Sequence, residues 1–189
     1  MNNFIVVYDA CVLYPAPLRD LLMQLALTDL FQAKWTDTIH DEWMQSVLNN
    51  RRDLTIPQLQ RTRELMNMNV RDCMVKGYEK LIPSLSLPDP DDRHVLAAAI
   101  RASASTIITY NLKDYPKTIT SKYYVVAQHP DEFLTQLLEL APDIVCSAIR
   151  KVRQRLRNPP KTVDEYLDIL SRQALDKTVK KLKLYKGQI

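Results

Sequence analysis

The chain has 189 residues, 46% hydrophobic and 25% charged, with three cysteines. That length suits one domain, or one domain with an appendage, and a core that needs no disulfide. No apolar run approaches the roughly 20 residues of a membrane span, and Cys11, Cys73 and Cys146, odd in number and without CxxC spacing, fit reduced thiols rather than a disulfide or zinc frame. The stretch MNNFIVVYD lacks the charged and long apolar regions of a signal peptide, so a cytoplasmic protein is expected. Charge is uneven. Residues 1–146 hold 14 Lys+Arg against 18 Asp+Glu, and residues 147–189 hold 12 against 4. A carboxylate-rich body with a basic tail suits a metal-dependent nuclease, and a solvated basic helix face suits the tail equally well.

Residues 4–8 are apolar on both faces, as in a central strand of a parallel sheet, and end in Asp9. Asp9 is therefore expected at the carboxyl end of the first strand, where open α/β sheets bind ligands. Pro15 and Pro17 mark a turn and a helix start, and Leu18, Leu21, Leu22 and Leu25 follow at helical spacing. Residues 34–36 form a weakly signalled second strand. Thr36 or Asp37 caps the next helix, whose apolar face is Ile39, Trp43 and Val47. Glu42 lies beside that face, either half-exposed next to the core or aimed into a site. Residues 57–70 read as another helix, and 71–86 as a short strand mixed with loop.

The stretch 87–100, LPDPDDRHVLAAAI, places Asp89, Asp91 and Asp92 within four positions ahead of an apolar helix. Acidic groups favour a first helical turn, yet one cap needs one carboxylate. Three so close repel one another unless a divalent cation lies among them. Residues 106–109 form a clear strand that leads into TYNLKDYP, placing Thr109, Asn111 and Asp114 at or just past its carboxyl end. Residues 123–126 read as the last strand, and a helix starts at Pro130. From Pro142 the pattern is helical throughout, broken at Asn158-Pro159-Pro160 and ending in a basic helix over 175–184. Alternating strands and helices followed by helices alone predict an α/β fold: a small parallel sheet in a three-layer α/β/α arrangement, plus a helical C-terminal extension.

Asp9, Glu42, the Asp89/Asp91/Asp92 cluster and Asp114 are placed so that several can meet at one sheet edge. Like charges raise each other's pKa, so such a group calls for cations. Oxygen ligands suit Mg²⁺ or Mn²⁺ rather than zinc, and such ions suit phosphodiester hydrolysis by an activated water. No HExxH, GxSxG, GxGxxG or Walker A pattern occurs. His94 reads as a packed or exposed helix residue before it reads as part of a site.

DACVLYP at 9–15, HDEW at 40–43, DPDDRHVLAAA at 89–99 and TYNLKDYP at 109–116 together resemble the PIN-domain ribonucleases, and more closely the VapC-like toxins of toxin–antitoxin pairs. RLRNPPKTVDEYLDIL at 155–170 resembles the helical C-terminal extension of one subgroup. The resemblance implies a PIN nuclease domain over 1–138 and an extension over 139–189. It implies metal-binding and catalytic roles for Asp9, Glu42, Asp92 and Asp114, with Asp89 and Asp91 as further candidates for the metal, and an orienting role for Thr109 and Asn111. It further implies an endoribonuclease using Mg²⁺ or Mn²⁺, an RNA substrate, a cognate antitoxin and a homodimer away from any membrane. The position two after the first Asp is usually a small polar residue in that family, and here it is Cys11, a weak donor expected to loosen Asp9. Two other readings stand beside this one. The first is a non-catalytic RNA- or protein-binding PIN module. The second is a HAD-type phosphohydrolase, which would want a second Asp where Cys11 stands.

Overall fold

Three β-branched residues and a tyrosine, IVVY, form strand β1, Ile5–Tyr8. The computed structural model describes residues 4–189; residues 1–3, the first part of the stretch read for a signal peptide, lie outside it. Short helix α1 (Ala10–Leu13) follows Asp9, and α2 (Ala16–Ala26) begins just after Pro15 with Pro17 in its first turn. Then come β2 (Gln32–Lys34) and α3 (Asp37–Asn50), whose cap Thr36 accepts the Ile39 N–H at 3.1 Å. Helix α4 (Ile56–Asn69) starts at Thr55, whose N–H donates to Gln58 Oε1 at 2.8 Å. Helix α5 (Arg93–Arg101), β3 (Thr106–Ile108), α6 (Lys117–Thr120) and β4 (Val126–Gln128) complete the first half. Helices α7 (Pro130–Leu140), α8 (Pro142–Arg155), α9 (Val163–Ser171) and α10 (Asp176–Leu182) finish the chain.

The chain divides into two units, one of Met1–Tyr14 with Phe31–His129 and one of Pro15–Leu30 with Pro130–Ile189. The first holds the sheet, in the order β2-β1-β3-β4, with every pairing parallel. Consecutive strand residues Val6, Val7 and Tyr8, and likewise Ile107 and Ile108, are fully buried. Neighbours along a strand face opposite sides, so both faces of the sheet are covered. Ala97, Ala98 and Ala99 of α5 are equally buried, and α5 contacts both β1 and β3. Since β1 leads to β2 on one side and lies beside β3 on the other, the strand order reverses at the carboxyl ends of β1 and β3, where an open sheet leaves a crevice.

The second unit packs α2 on α8 and α9, and α10 on α7 and α9. Asp131 of α7 is buried and caps α10 from across the unit: it accepts the Lys177 N–H at 2.9 Å and the Thr178 N–H and Oγ1–H at 2.8 and 2.7 Å. The carboxylate faces the helix N-terminus and satisfies amides that would otherwise lack partners. No helix among the described residues is long and apolar enough to cross a membrane.

Three elements differ from the sequence pattern. The second strand is β2 at 32–34 rather than 34–36; Trp35 instead makes a single parallel bridge to Met74, the strand component expected within 71–86, where a 3₁₀ turn at Glu79–Ser84 follows. The last strand is β4 at 126–128 rather than 123–126. Tyr124 sits at φ 58°, outside any strand conformation, and is 90% exposed, so its aromatic β propensity has no pleated surface to pack on. The terminal helix is shorter than 175–184, ending at Leu182 in a 3₁₀ turn.

Candidate active site

Asp9 stands directly after β1, with its N–H donating to Ile108 O of the neighbouring strand at 3.1 Å. It is 4% exposed and precedes α1, yet its side chain makes no cap bond to that helix. The carboxylate is instead turned toward the end of β3. Thr109 Oγ1 donates to Asp9 Oδ2 at 2.6 Å, and Cys11 Sγ donates to the same oxygen at 3.3 Å. Thr109 Oγ1 is in turn held by the Asn111 N–H at 2.9 Å, and Cys11 Sγ by the Tyr110 N–H at 3.3 Å. The strand end thus clamps one oxygen of Asp9 through two side chains, each fixed by a backbone amide. Burial raises the Asp9 pKa, against the lowering effect of the Thr109 and Cys11 bonds. Burial, with the Asp9 charge beside it, pushes the Cys11 thiol up to about 12, so it is a neutral donor rather than a nucleophile.

The acidic cluster divides its duties. Pro90–Asp92 is a 3₁₀ turn capped by Asp89, which accepts the Asp91 N–H at 2.9 Å. Asp92 follows as the N-cap residue of α5 but makes no side-chain cap bond, and its Oδ2 is buried without a partner. Burial and then the charges of Asp9, Asp89 and Asp114 push the Asp92 carboxyl up to about 7, with His94 acting weakly the other way. A buried carboxylate oxygen with no donor, beside three other carboxylates, is a costly arrangement that a cation would relieve.

Glu42, on the face of α3 that flanks its buried stripe, receives His94 Nε2 at 2.7 Å from its Oε1. His94 is 8% exposed and lies on α5, two residues after Asp92. This pairing was not anticipated from sequence, where His94 read as a packed or exposed residue. The only available signal was its place one residue into the helix that opens on the acidic cluster. A hollow of about 480 Å³ collects the result: Asp9, Cys11, Glu42, Asp92 and Asn111 line it together with Tyr14, Ser46 and Asn50. Asp114 and Asp89 stand within electrostatic reach of Asp92. Asp91 is exposed and its backbone serves the cap. Tyr115, next to Asp114, is buried within reach of Asp9, Asp92 and Glu42, and its hydroxyl has no partner.

A PIN domain model matches residues 5–113, more than half of the chain. The chain belongs to the PIN-domain family. A model of the VapC50 C-terminal domain matches residues 130–184, so this PIN protein has the VapC-like extension. It is 36% identical over 109 residues to a Mycobacterium tuberculosis (strain ATCC 25618 / H37Rv) protein named "Putative ribonuclease VapC50". The match covers 58% of this chain and 64% of that relative, so the chain spans less than two thirds of the relative's length. No solved structure matches. The PIN assignment fits the four-stranded parallel sheet and leaves no place for a HAD-type fold.

PIN-type chemistry raises the question of a metal ion. The donor set of this PIN domain is all carboxylate, which suits a hard cation, and the orphaned buried Asp92 Oδ2 is an oxygen waiting for a positive partner. Among the described residues no three His, Cys, Asp or Glu side chains are already gathered around one point. The Glu42 bond to His94 is one physical reason, because it occupies the oxygen that Glu42 would offer. The residues fit an Mg²⁺-like or Mn²⁺-like ion in chemistry, with Glu42 held by a neighbour that an ion would have to displace or share.

Proposed function

We propose that this chain is a Mg²⁺- or Mn²⁺-dependent endoribonuclease that hydrolyses RNA phosphodiesters and acts as the toxin of a toxin–antitoxin pair. The observation that supports it best is the hollow at the carboxyl ends of β1 and β3, where Asp9, Glu42 and Asp92 share one surface and Asp92 keeps a buried oxygen without a partner. Asp9, Glu42, Asp92 and Asp114 would hold the ion, with Asp89, whose charge acts on Asp92, and Asp91 as further candidates. When bound, such an ion supplies charge neutralisation at the phosphate and lowers the pKa of water. The chain's own residues set the geometry. Thr109 and Cys11 fix Asp9 Oδ2, Asn111 fixes Thr109 through its backbone, and His94 fixes Glu42. Burial beside Asp9 raises the Cys11 thiol, which favours a hydrogen-bonding role for that side chain. The toxin role, the antitoxin, the homodimer and a cytoplasmic location follow from likeness to VapC-type proteins.

The test is a pair of RNA cleavage assays on protein freed of co-purifying partners, comparing the native chain with Asp92→Asn, in Mn²⁺ and in EDTA. Cleavage that needs Mn²⁺ and is lost in Asp92→Asn is the expected result. Equal cleavage by both proteins would remove Asp92 from the site. No cleavage by either would favour the non-catalytic binding module. Expression with and without the operon neighbour tests the toxin role: growth that is never arrested ends it.

A further inference from the structure

Two buried polar atoms near the acidic floor lack a partner, and they are opposite in kind. Asp92 Oδ2 is an acceptor. The Tyr115 hydroxyl, on a side chain only 2% exposed, carries a proton to donate. Buried polar atoms are nearly always paired in folded proteins, so an unmatched donor and an unmatched acceptor at one site point to a bond that they make together.

The backbone after β3 brings Tyr115 there. It folds back in tight steps: the Asn111 N–H donates to Thr109 Oγ1 at 2.9 Å, the Asp114 N–H to Asn111 O at 3.0 Å and the Tyr115 N–H to Leu112 O at 3.2 Å. Leu112 and Lys113 stay exposed on the outside of this turn, and the Tyr115 ring goes inward. Burial first, and then the charges of Asp9, Asp92, Cys11 and Glu42, raise the Tyr115 pKa, so the hydroxyl keeps its proton. Those four residues all line the hollow. A group within reach of all four and closed to solvent lies beneath the hollow's floor.

The donors on that floor are unevenly shared. Asp9 has Thr109 and Cys11 on one oxygen, and Glu42 has His94. Asp92 Oδ2 has none. We propose that the Tyr115 hydroxyl is the donor that holds Asp92 as the site takes up its cation, so that one carboxylate oxygen meets the ion while the other accepts from Tyr115. In the structure as it stands both atoms are unpaired, and a turn about the last torsion of Asp92, which is soft for a carboxylate, brings them together. Tyr115 thus acts through Asp92 and is a positioning residue. The inference rests on the metal-dependent reading above and deepens it.

The experiment uses Tyr115→Phe, which keeps the ring and removes only the hydroxyl. Mn²⁺ affinity is read by electron paramagnetic resonance without any RNA, and the melting temperature by circular dichroism in EDTA. Partners of metal-binding groups support affinity by about 10–100-fold, so Tyr115→Phe should weaken Mn²⁺ binding by that order. Its melting temperature in EDTA should equal or exceed that of the native chain, because no bond is lost and an unpaired buried hydroxyl is removed. Added to Asp92→Asn, Tyr115→Phe should weaken Mn²⁺ binding by no more than about twofold further, since the group it serves is already changed. Unchanged Mn²⁺ affinity in Tyr115→Phe would overturn the role. A full further loss in the double variant would also overturn it, by placing the hydroxyl on another group such as the unpaired His94 Nδ1. A lower melting temperature in EDTA would make the hydroxyl a structural one. A native chain that binds no Mn²⁺ would instead remove the metal-dependent reading, and the Tyr115 role with it.

Discussion

At the scale of single residues the site is governed by which atom holds which carboxylate. Asp9 is buried, so its orientation costs nothing further in solvent exposure, but it needs donors to remain a useful anion there. Thr109 supplies the short one, at 2.6 Å, and Cys11 the long one, at 3.3 Å. Thr109→Val removes the short donor while keeping the shape. Partners of this kind support affinity or activity by about 10–100-fold, so Thr109→Val should weaken Mn²⁺ binding by that order while Thr109→Ser stays close to the native chain. Titration of Mn²⁺ by its electron paramagnetic resonance signal reads the affinity without any RNA. Equal affinity in all three proteins would mean that the Thr109 hydroxyl does not govern how Asp9 meets the ion, leaving Cys11 as its side-chain donor. Asp9 and Asp92 stand out in sequence because one follows a strand and the other opens a helix, whereas Glu42 lies within α3 beside its apolar face. Their partners were harder. Cys11 read as a loosened position, yet its sulfur bridges Tyr110 N–H and Asp9, a role visible only once β3 is known to lie beside β1. His94 was discounted because nothing in the α5 sequence reveals that α3 brings Glu42 to within 2.7 Å of it.

At the scale of elements, α3 serves two masters. One face presents Glu42 to the hollow, and the other buries His40 and Trp43. Trp43 Nε1 donates to His40 Nδ1 at 2.9 Å, so that nitrogen accepts and the proton sits on Nε2, which reaches Asn67 Oδ1 at 2.9 Å. Trp35 Nε1 donates to the same Asn67 oxygen at 2.8 Å, tying α3, α4 and the residue after β2 into one network. This arrangement requires neutral imidazole, and burial first of all holds the His40 pKa below its usual value; Asn67, Asp37 and Asp41 act upward and Arg63 downward. The unfolded chain therefore takes up the His40 proton more readily than the native one. Stability contributed by neutral His40 is present above the unfolded pKa of about 6.5 and is lost as pH falls through it. Melting temperatures from pH 7.5 down to 5.5 should fall for the native chain, and fall less steeply for His40→Gln, whose stability at pH 7.5 is lower. Parallel slopes for the two proteins would remove His40 as the titrating group. Element positions were legible where β-branched runs or a capped apolar run are strong, as in β1, β3 and α5. They were misplaced at β2 (QAK) and β4 (VAQ), which lack the β-branched run that marks the equally short β3 (TII), while aromatic residues lie close by.

At the scale of the whole molecule, the early helix α2 clusters with the C-terminal helices rather than with the sheet that precedes it. Periodicity shows that such a helix buries one face but not which partner covers it, so this grouping could not be read from the chain. Charge, in contrast, was legible from the start, and the structure sorts it. Of the tail's cations, Lys161, Lys177, Lys181 and Lys186 are joined to Glu165, Glu132, Glu139 and Asp164. Those pairs are exposed and contribute little to stability, but they also cancel part of the field that an RNA backbone would feel. On α8, Lys151 and Arg155 stand at i and i+4, both exposed and neither in an ion pair among the described residues. If the tail docks the RNA backbone, these two are among the exposed cations able to neutralise phosphates. Each phosphate contact on a single strand contributes about 0.7 to the slope of log affinity against log salt. Lys151→Gln with Arg155→Gln should therefore lower that slope by about 1.4, with affinity converging on the native chain at high salt. The comparison is best made in an Asp92→Asn background, so that binding is read without cleavage. An unchanged slope would assign this face of α8 to solvent rather than to the RNA backbone.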